Sequence, residues 1–197
     1  MLDLYAGTLD QSWLNEARNL SDEMLRLFSD PVSDEFTLTG NDAEQMPARV
    51  SSDHDGVTPS ALARTAHVLY RLAWIEDRPG LLVSARKALN GITGEIQHNP
   101  LGHLGALQVL IQLDSEPTLA TFTGKTDTTE AFAINTALLN YTIKNIIIRS
   151  EKTLAPLSFS LCTPGTCYPA VSTVDGLNRL LRQIGLSGRH HVSVPDL

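Results

Sequence analysis

The chain has 197 residues, of which 42% are hydrophobic and 19% charged, and its formal net charge is −7. That length and composition suit a globular protein with a real core, and the acidic balance offers no basic patch for nucleic acid or anionic lipid. No run approaches the roughly 18 consecutive apolar residues of a membrane span, and the N-terminal stretch lacks the basic-then-apolar order of a signal peptide. A soluble, cytoplasmic protein with no membrane or nucleic-acid partner is expected.

The first residues, Met1-Leu-Asp-Leu-Tyr5, have the apolar content of a helix end with no cap before them, so the chain reads as starting inside a helix. Asp10 is placed to N-cap the next helix, whose apolar spacing runs through Trp13, Ala17, Leu20, Met24 and Leu27 with charges elsewhere on the cylinder. Residues 30 to 57 are polar and turn-rich, a length of loop that more often carries function than padding. Thr58-Pro59 then opens a helix with Pro at its first position, with Leu62, Ala66, Leu69 and Ala73 on its face. Asp77 and Pro79 mark the next turn, and Leu82, Ala85, Leu89, Ile92 and Ile96 give the face of the helix that follows.

Leu4, Trp13, Leu14, Ala17 and Arg18 fall onto Leu72, Leu81, Leu82, Ala85 and Arg86 at one constant offset, which predicts repeated helix hairpins. A hairpin cannot bury its apolar face alone, so a stacked arrangement such as an α/α toroid is favoured over a closed bundle. Residues 101–113 (LGHLGALQVLIQL) are apolar nearly all round, as an inner helix would be. There are too few hairpins to close a ring.

After Pro117 the pattern changes. Residues 118–123 read as a strand, 127–142 as a helix, 145–149 as a second strand and 157–162 as a third. Ser172 with Asp175 forms a capping box before a last helix closed by Gly185. The expected fold is therefore mainly α with a small α/β part: residues 1–114 as hairpins of an incomplete α/α toroid, 115–185 as a three-stranded α/β subdomain, and 186–197 as a flexible tail.

Three stretches carry a family resemblance: Leu2-Asp-Leu-Tyr5 followed by Asp10, Trp13-Leu14 and Ala17; Asp55-Gly56-Val-Thr58-Pro59-Ser60 opening a helix; and Cys162-Thr-Pro-Gly-Thr-Cys167-Tyr-Pro-Ala-Val171. In that order they resemble the C-terminal part of the thioredoxin-domain-containing proteins related to spermatogenesis-associated protein 20. The resemblance implies a thioredoxin-like domain and earlier hairpins of a six-hairpin toroid upstream, so this chain is expected to be a fragment of a longer parent. Its toroid is similar to those of N-acylglucosamine 2-epimerases and glycosidase-like sugar enzymes, although fold does not fix function. One departure stands out: the family's P-S-G-N-S run reads Pro59-Ser60-Ala61-Leu62-Ala63 here, which removes polar groups from a central pocket.

The residues that could carry chemistry are few. Asp53, His54, Asp55, Thr58 and Ser60 form a candidate pocket rim, in which a carboxylate beside an imidazole has the makings of a general base; the competing reading is a polar loop whose Asp residues cap the next helix. Cys162 and Cys167 are a possible thiol pair, because the Pro164-Gly165 reversal between them can bring the sulfurs together. They are not C-x-x-C and have no basic neighbour in sequence, which favours reduced structural cysteines. Gly124-Lys125-Thr126 lacks the upstream glycine of a phosphate loop, since that position is Leu119, and reads as an ordinary strand-to-helix turn. His67, His98 and His103 have no ligand partner at helical spacing, and the adjacent His190 and His191 are a poor metal geometry; neither metal nor cofactor is implied. The function expected is a scaffold or binding role, not catalytic in isolation, with upstream domains of the parent or a second copy as partner. The alternative is a sugar-processing enzyme with a carbohydrate ligand at the rim.

Overall fold

The computed structural model describes residues 1–30, 36–37, 39–44 and 54–186. They fall into two units: one holds Met1, Leu2 and residues 11–116, the other residues 3–10 and the chain from Pro117 onward. Most of the first helix, α1 (Leu2–Thr8), therefore belongs with the C-terminal part and not with the hairpins, as its sequence position had suggested.

The first unit is helical. α2 (Gln11–Phe28) buries Leu14, Ala17 and Ser21. This stripe is displaced from the expected one, and Leu20 is exposed; Ser21 fits because its hydroxyl donates to the Ala17 carbonyl at 2.7 Å. α3 (Ala61–Ile75) is the centre of the unit, with Leu62, Ala66, Leu69, Leu72 and Ala73 all buried. It starts two residues beyond the expected point: Ser60 is the N-cap, accepting the Ala63 N–H at 3.2 Å, and Pro59 precedes it. The turn that follows needs Asp77 at φ 52°, a left-handed conformation that Asp tolerates better than most residues.

The next apolar run divides into α4 (Gly80–Asn90) and α5 (Thr93–His98), interrupted at Gly91 and Ile92. A 3-10 turn, Pro100–His103, then leads into α6 (Leu104–Leu113). α3 packs on α4 and α6, and more lightly on α2. Leu4, which the sequence overlay matches to Leu72, lies in the other unit, whereas the overlaid arginines Arg18 and Arg86 make similar contacts. Arg18 on α2 pairs with Glu76, the residue that caps the C-terminus of α3. Arg86 on α4 pairs with Asp114, the residue that caps α6, at 3.1 Å, and also donates to the Leu113 carbonyl at 2.5 Å. Each arginine thus crosses to the carbonyl-rich end of another helix, where a cation is favoured.

The second unit is a mixed four-stranded sheet, in the order β2-β1-β3-β4, with helices packed on it. β1 (Thr118–Gly124) pairs in parallel with β2 (Ile146–Lys152) through the crossover helix α7 (Thr129–Leu139), and antiparallel with β3 (Ser158–Thr163). Beyond the three expected strands there is a short fourth, β4 (Thr166–Cys167). Alternate residues Ala120 and Phe122 of β1, Ile148 of β2, and Phe159 and Leu161 of β3 face one core with α7, Leu9 and the last helix, α8 (Val174–Gln183). The cap of α8 is Thr173, accepting the Gly176 N–H at 3.1 Å, and not the Ser172 box read from the sequence.

α1 closes the outer edge of the sheet. The buried Tyr5 hydroxyl accepts the Ser150 N–H at 2.8 Å, which pairs a donor on edge strand β2 that would otherwise have no strand beside it. From within the core, the Asn135 amide donates to the Ala6 and Gly7 carbonyls at 2.8 and 3.1 Å, near the C-terminal end of α1. Gly124 ends β1 at φ 100°, and a side chain there would strike the Ala155 and Pro156 carbonyls, so position 124 requires glycine on two counts. No helix among the described residues is long and apolar enough to cross a membrane.

Candidate functional site

The expected rim becomes a junction built around Asp55. Asp53 lies outside the described residues, as does the tail from residue 187, including His190 and His191. Asp55 Oδ1 accepts the Ser60 N–H at 2.7 Å, at the start of α3. Oδ2 accepts the Gly105 N–H at 2.7 Å, in the first turn of α6. Its own N–H donates to the Gly102 carbonyl at 2.7 Å. One carboxylate therefore serves the N-terminal ends of two helices, both of which favour a negative charge.

The charge balance at Asp55 follows from these contacts. Burial works against the ionised form, yet the backbone donors of Gly105 and Ser60, with His103 nearby, outweigh it and hold the carboxyl below its ordinary value. His103 is buried, and the exposed His54 meets it edge to face, with ring centroids 5.2 Å apart. The His54 ring lies so close over Gly102 that a side chain at 102 would collide with it. Thr58 is exposed, and it contributes its backbone carbonyl, which accepts the Gly56 N–H at 3.1 Å. Ser60 is buried and spends its hydroxyl on the cap of α3.

His54, Asp55 and Ser60 are thus brought together, but as parts of a helix joint. The partners that sequence reading missed, Gly102, His103 and Gly105, lie in the 3-10 turn and the first turn of α6. A signal for them existed: two glycines inside the otherwise apolar run Leu101-Gly-His-Leu-Gly105 mark a place where another backbone or side chain comes close.

Cys162 and Cys167 stand directly opposite each other on β3 and β4, their Cα atoms 4.0 Å apart, and their sulfurs are bonded. The expectation of reduced thiols is corrected: the antiparallel register, set by the Pro164-Gly165 reversal, puts the two side chains side by side. Gly124-Lys125-Thr126 is an ordinary turn. The Lys125 N–H donates to the Ala155 carbonyl, Thr128 caps α7, and the Asp127 carboxylate holds Lys152 at 3.1 Å.

An apolar cleft of about 180 Å³ lies elsewhere in the first unit, bounded by Met24, Phe28 and Phe36 on one side and by Ala61, Leu62 and Thr65 on α3. Among the described residues, none that lines it is an acid–base group.

Comparison with known proteins adds one partial relationship. Over 73 residues the chain is 37% identical to spermatogenesis-associated protein 20 of Mus musculus and 36% identical to that of Rattus norvegicus. Each match covers 36% of this chain and 9% of the relative. No family model matches the chain.

Proposed function

We propose that the chain is a non-catalytic scaffold portion of a longer protein of the thioredoxin-and-toroid kind related to spermatogenesis-associated protein 20. The observation that carries this reading is Asp55. The carboxylate expected to act as a base beside His54 has both oxygens occupied by backbone N–H groups of α3 and α6. Its charge is committed to holding two helices, and a carboxyl held below its ordinary value by those donors is a weaker proton acceptor. The partial match to the rodent proteins supports the parentage.

The partner in this reading is a further helix hairpin of the parent, seated on α6. Leu104, Leu107 and Ile111 recur at helical spacing along one side of α6, with Leu104 and Ile111 exposed and Leu107 partly so, while Ala106 and Val109 on the opposite side are buried. The recurrence of an arginine-to-cap pair, Arg18–Glu76 and then Arg86–Asp114, supports a stack of hairpins, and the exposed side of α6 supports a further hairpin seated there. Cytoplasmic residence belongs to the same proposal.

Thermal-shift titrations with N-acetylglucosamine, N-acetylmannosamine and cellobiose test it. The scaffold reading predicts no saturable shift with any of them. A saturable shift that disappears in His54→Ala would overturn it.

A further inference from the structure

We propose that the Cys162–Cys167 bridge is a thiol–disulfide exchange centre, which accepts electrons from an external thiol and thereby unclasps β4 from β3. The inference rests on the second unit alone, so its failure leaves the Asp55 reading untouched. β4 consists of two residues and pairs with β3 only at Cys162–Cys167 and Thr163–Thr166. Beside that short ladder, the Thr163 hydroxyl donates to the Thr166 carbonyl at 3.4 Å. Residues 164–167 are all exposed.

A structural purpose explains this bridge poorly. A disulfide stabilises mainly by closing a loop in the unfolded chain, and its effect grows with loop length. Here the sequence separation is only 5. The sheet is secured independently just beyond the tip, where the Tyr168 N–H donates to the Leu161 carbonyl at 2.9 Å and Phe159 and Val171 exchange bonds of 2.7 and 2.8 Å. Breaking the bridge therefore loosens the tip and leaves the core face of Phe159 and Leu161 in place.

The chemistry follows from which sulfur can be reached. Cys167 is exposed and Cys162 half-buried. An incoming thiolate attacks Cys167 Sγ, forming a mixed disulfide as the intramolecular S–S bond breaks, and the electron pair leaves on Cys162 Sγ, which takes a proton from water. A second thiolate attacks the incoming sulfur of the mixed disulfide and releases Cys167 as a thiolate, which is then protonated. The net change is one protein disulfide and two thiols converted to one protein dithiol and one external disulfide. Two electrons and two protons move to the protein.

The experiment uses the full oxidised chain in native buffer, treated with reduced glutathione or with reduced thioredoxin, quenched in acid and alkylated with N-ethylmaleimide. Mass spectrometry should count no adduct before treatment and two afterwards. Hydrogen exchange should accelerate at residues 163–168 and stay unchanged in α8. Reduction by glutathione assigns a small thiol as the electron source, and reduction by thioredoxin alone assigns a protein dithiol; both support the centre. With oxidised glutathione, Cys162→Ser should form a mixed disulfide at Cys167 at least about 10-fold faster than Cys167→Ser forms one at Cys162. Three results would overturn the proposal: two adducts without reductant, resistance to both reductants until guanidinium is added, or equal exchange at 163–168 in the two redox states. Equal reactivity of the single variants would overturn the assigned attack on Cys167.

Discussion

Asp55 Oδ2 accepts the backbone N–H of Gly105 at 2.7 Å, across 50 residues of sequence. The other oxygen of the same carboxylate accepts Ser60 at the start of α3. A residue that resembled half of an acid–base pair thereby joins two helix N-termini. Charge-assisted bonds of this kind contribute more than neutral ones, about 1.5–3 kcal/mol each.

Replacing Asp55 with Ala should therefore destabilise the helical unit by about 2–4 kcal/mol, since two helix starts lose their acceptor together. The chain's tryptophans, Trp13 and Trp74, both lie in that unit, so denaturant unfolding followed by tryptophan fluorescence reads this unit directly. A loss below about 0.5 kcal/mol would show the bonds to be incidental.

The lowered carboxyl of Asp55 also sets the sign of a pH effect. The folded form holds the proton less tightly than the unfolded chain does, whose ordinary value is 3.8. The stabilisation is thus complete above that value and is lost as pH falls through the lower folded value. Wild type should lose stability below about pH 4 more steeply than Asp55→Asn; parallel curves for the two would contradict the assignment.

Tyr5→Phe should cost the α/β unit about 1 kcal/mol, because the Ser150 N–H on edge strand β2 loses its acceptor. Hydrogen exchange with fragment-level readout should show faster exchange in β2 and little change in β3. Unchanged protection of β2 would mean that α1 does not guard the edge.

If α6 presents a docking side, the isolated chain should associate through it as concentration rises. Sedimentation velocity should show this association in wild type and its loss in Leu104→Lys/Ile111→Lys, with the helical content kept. Strictly monomeric behaviour of the wild type at high concentration would count against the docking side.

Much of the fold was legible where one element decides its own conformation. The α3 face through Leu62, Ala66, Leu69 and Ala73 is buried as its period required, and β1, α7 and β2 form the parallel unit that their pattern implied. What was illegible depends on distant partners. Nothing local in Leu2–Thr8 says that Tyr5 will reach Ser150, so α1 was assigned to the hairpins. Strand β4 is two residues long, too short to show any alternation. The rim residues could be named from sequence, but their role could not, because the N–H groups that occupy Asp55 come partly from α6.

The central claim is that Asp55 works as a joint and not as a base. Amide hydrogen exchange of Ser60 and Gly105, followed by NMR in wild type and Asp55→Ala, tests it most directly. The joint predicts that both amides are protected in wild type and that both lose protection together in the variant, although they start different helices. Fast exchange at Gly105 in wild type, or protection unchanged in the variant, would contradict it.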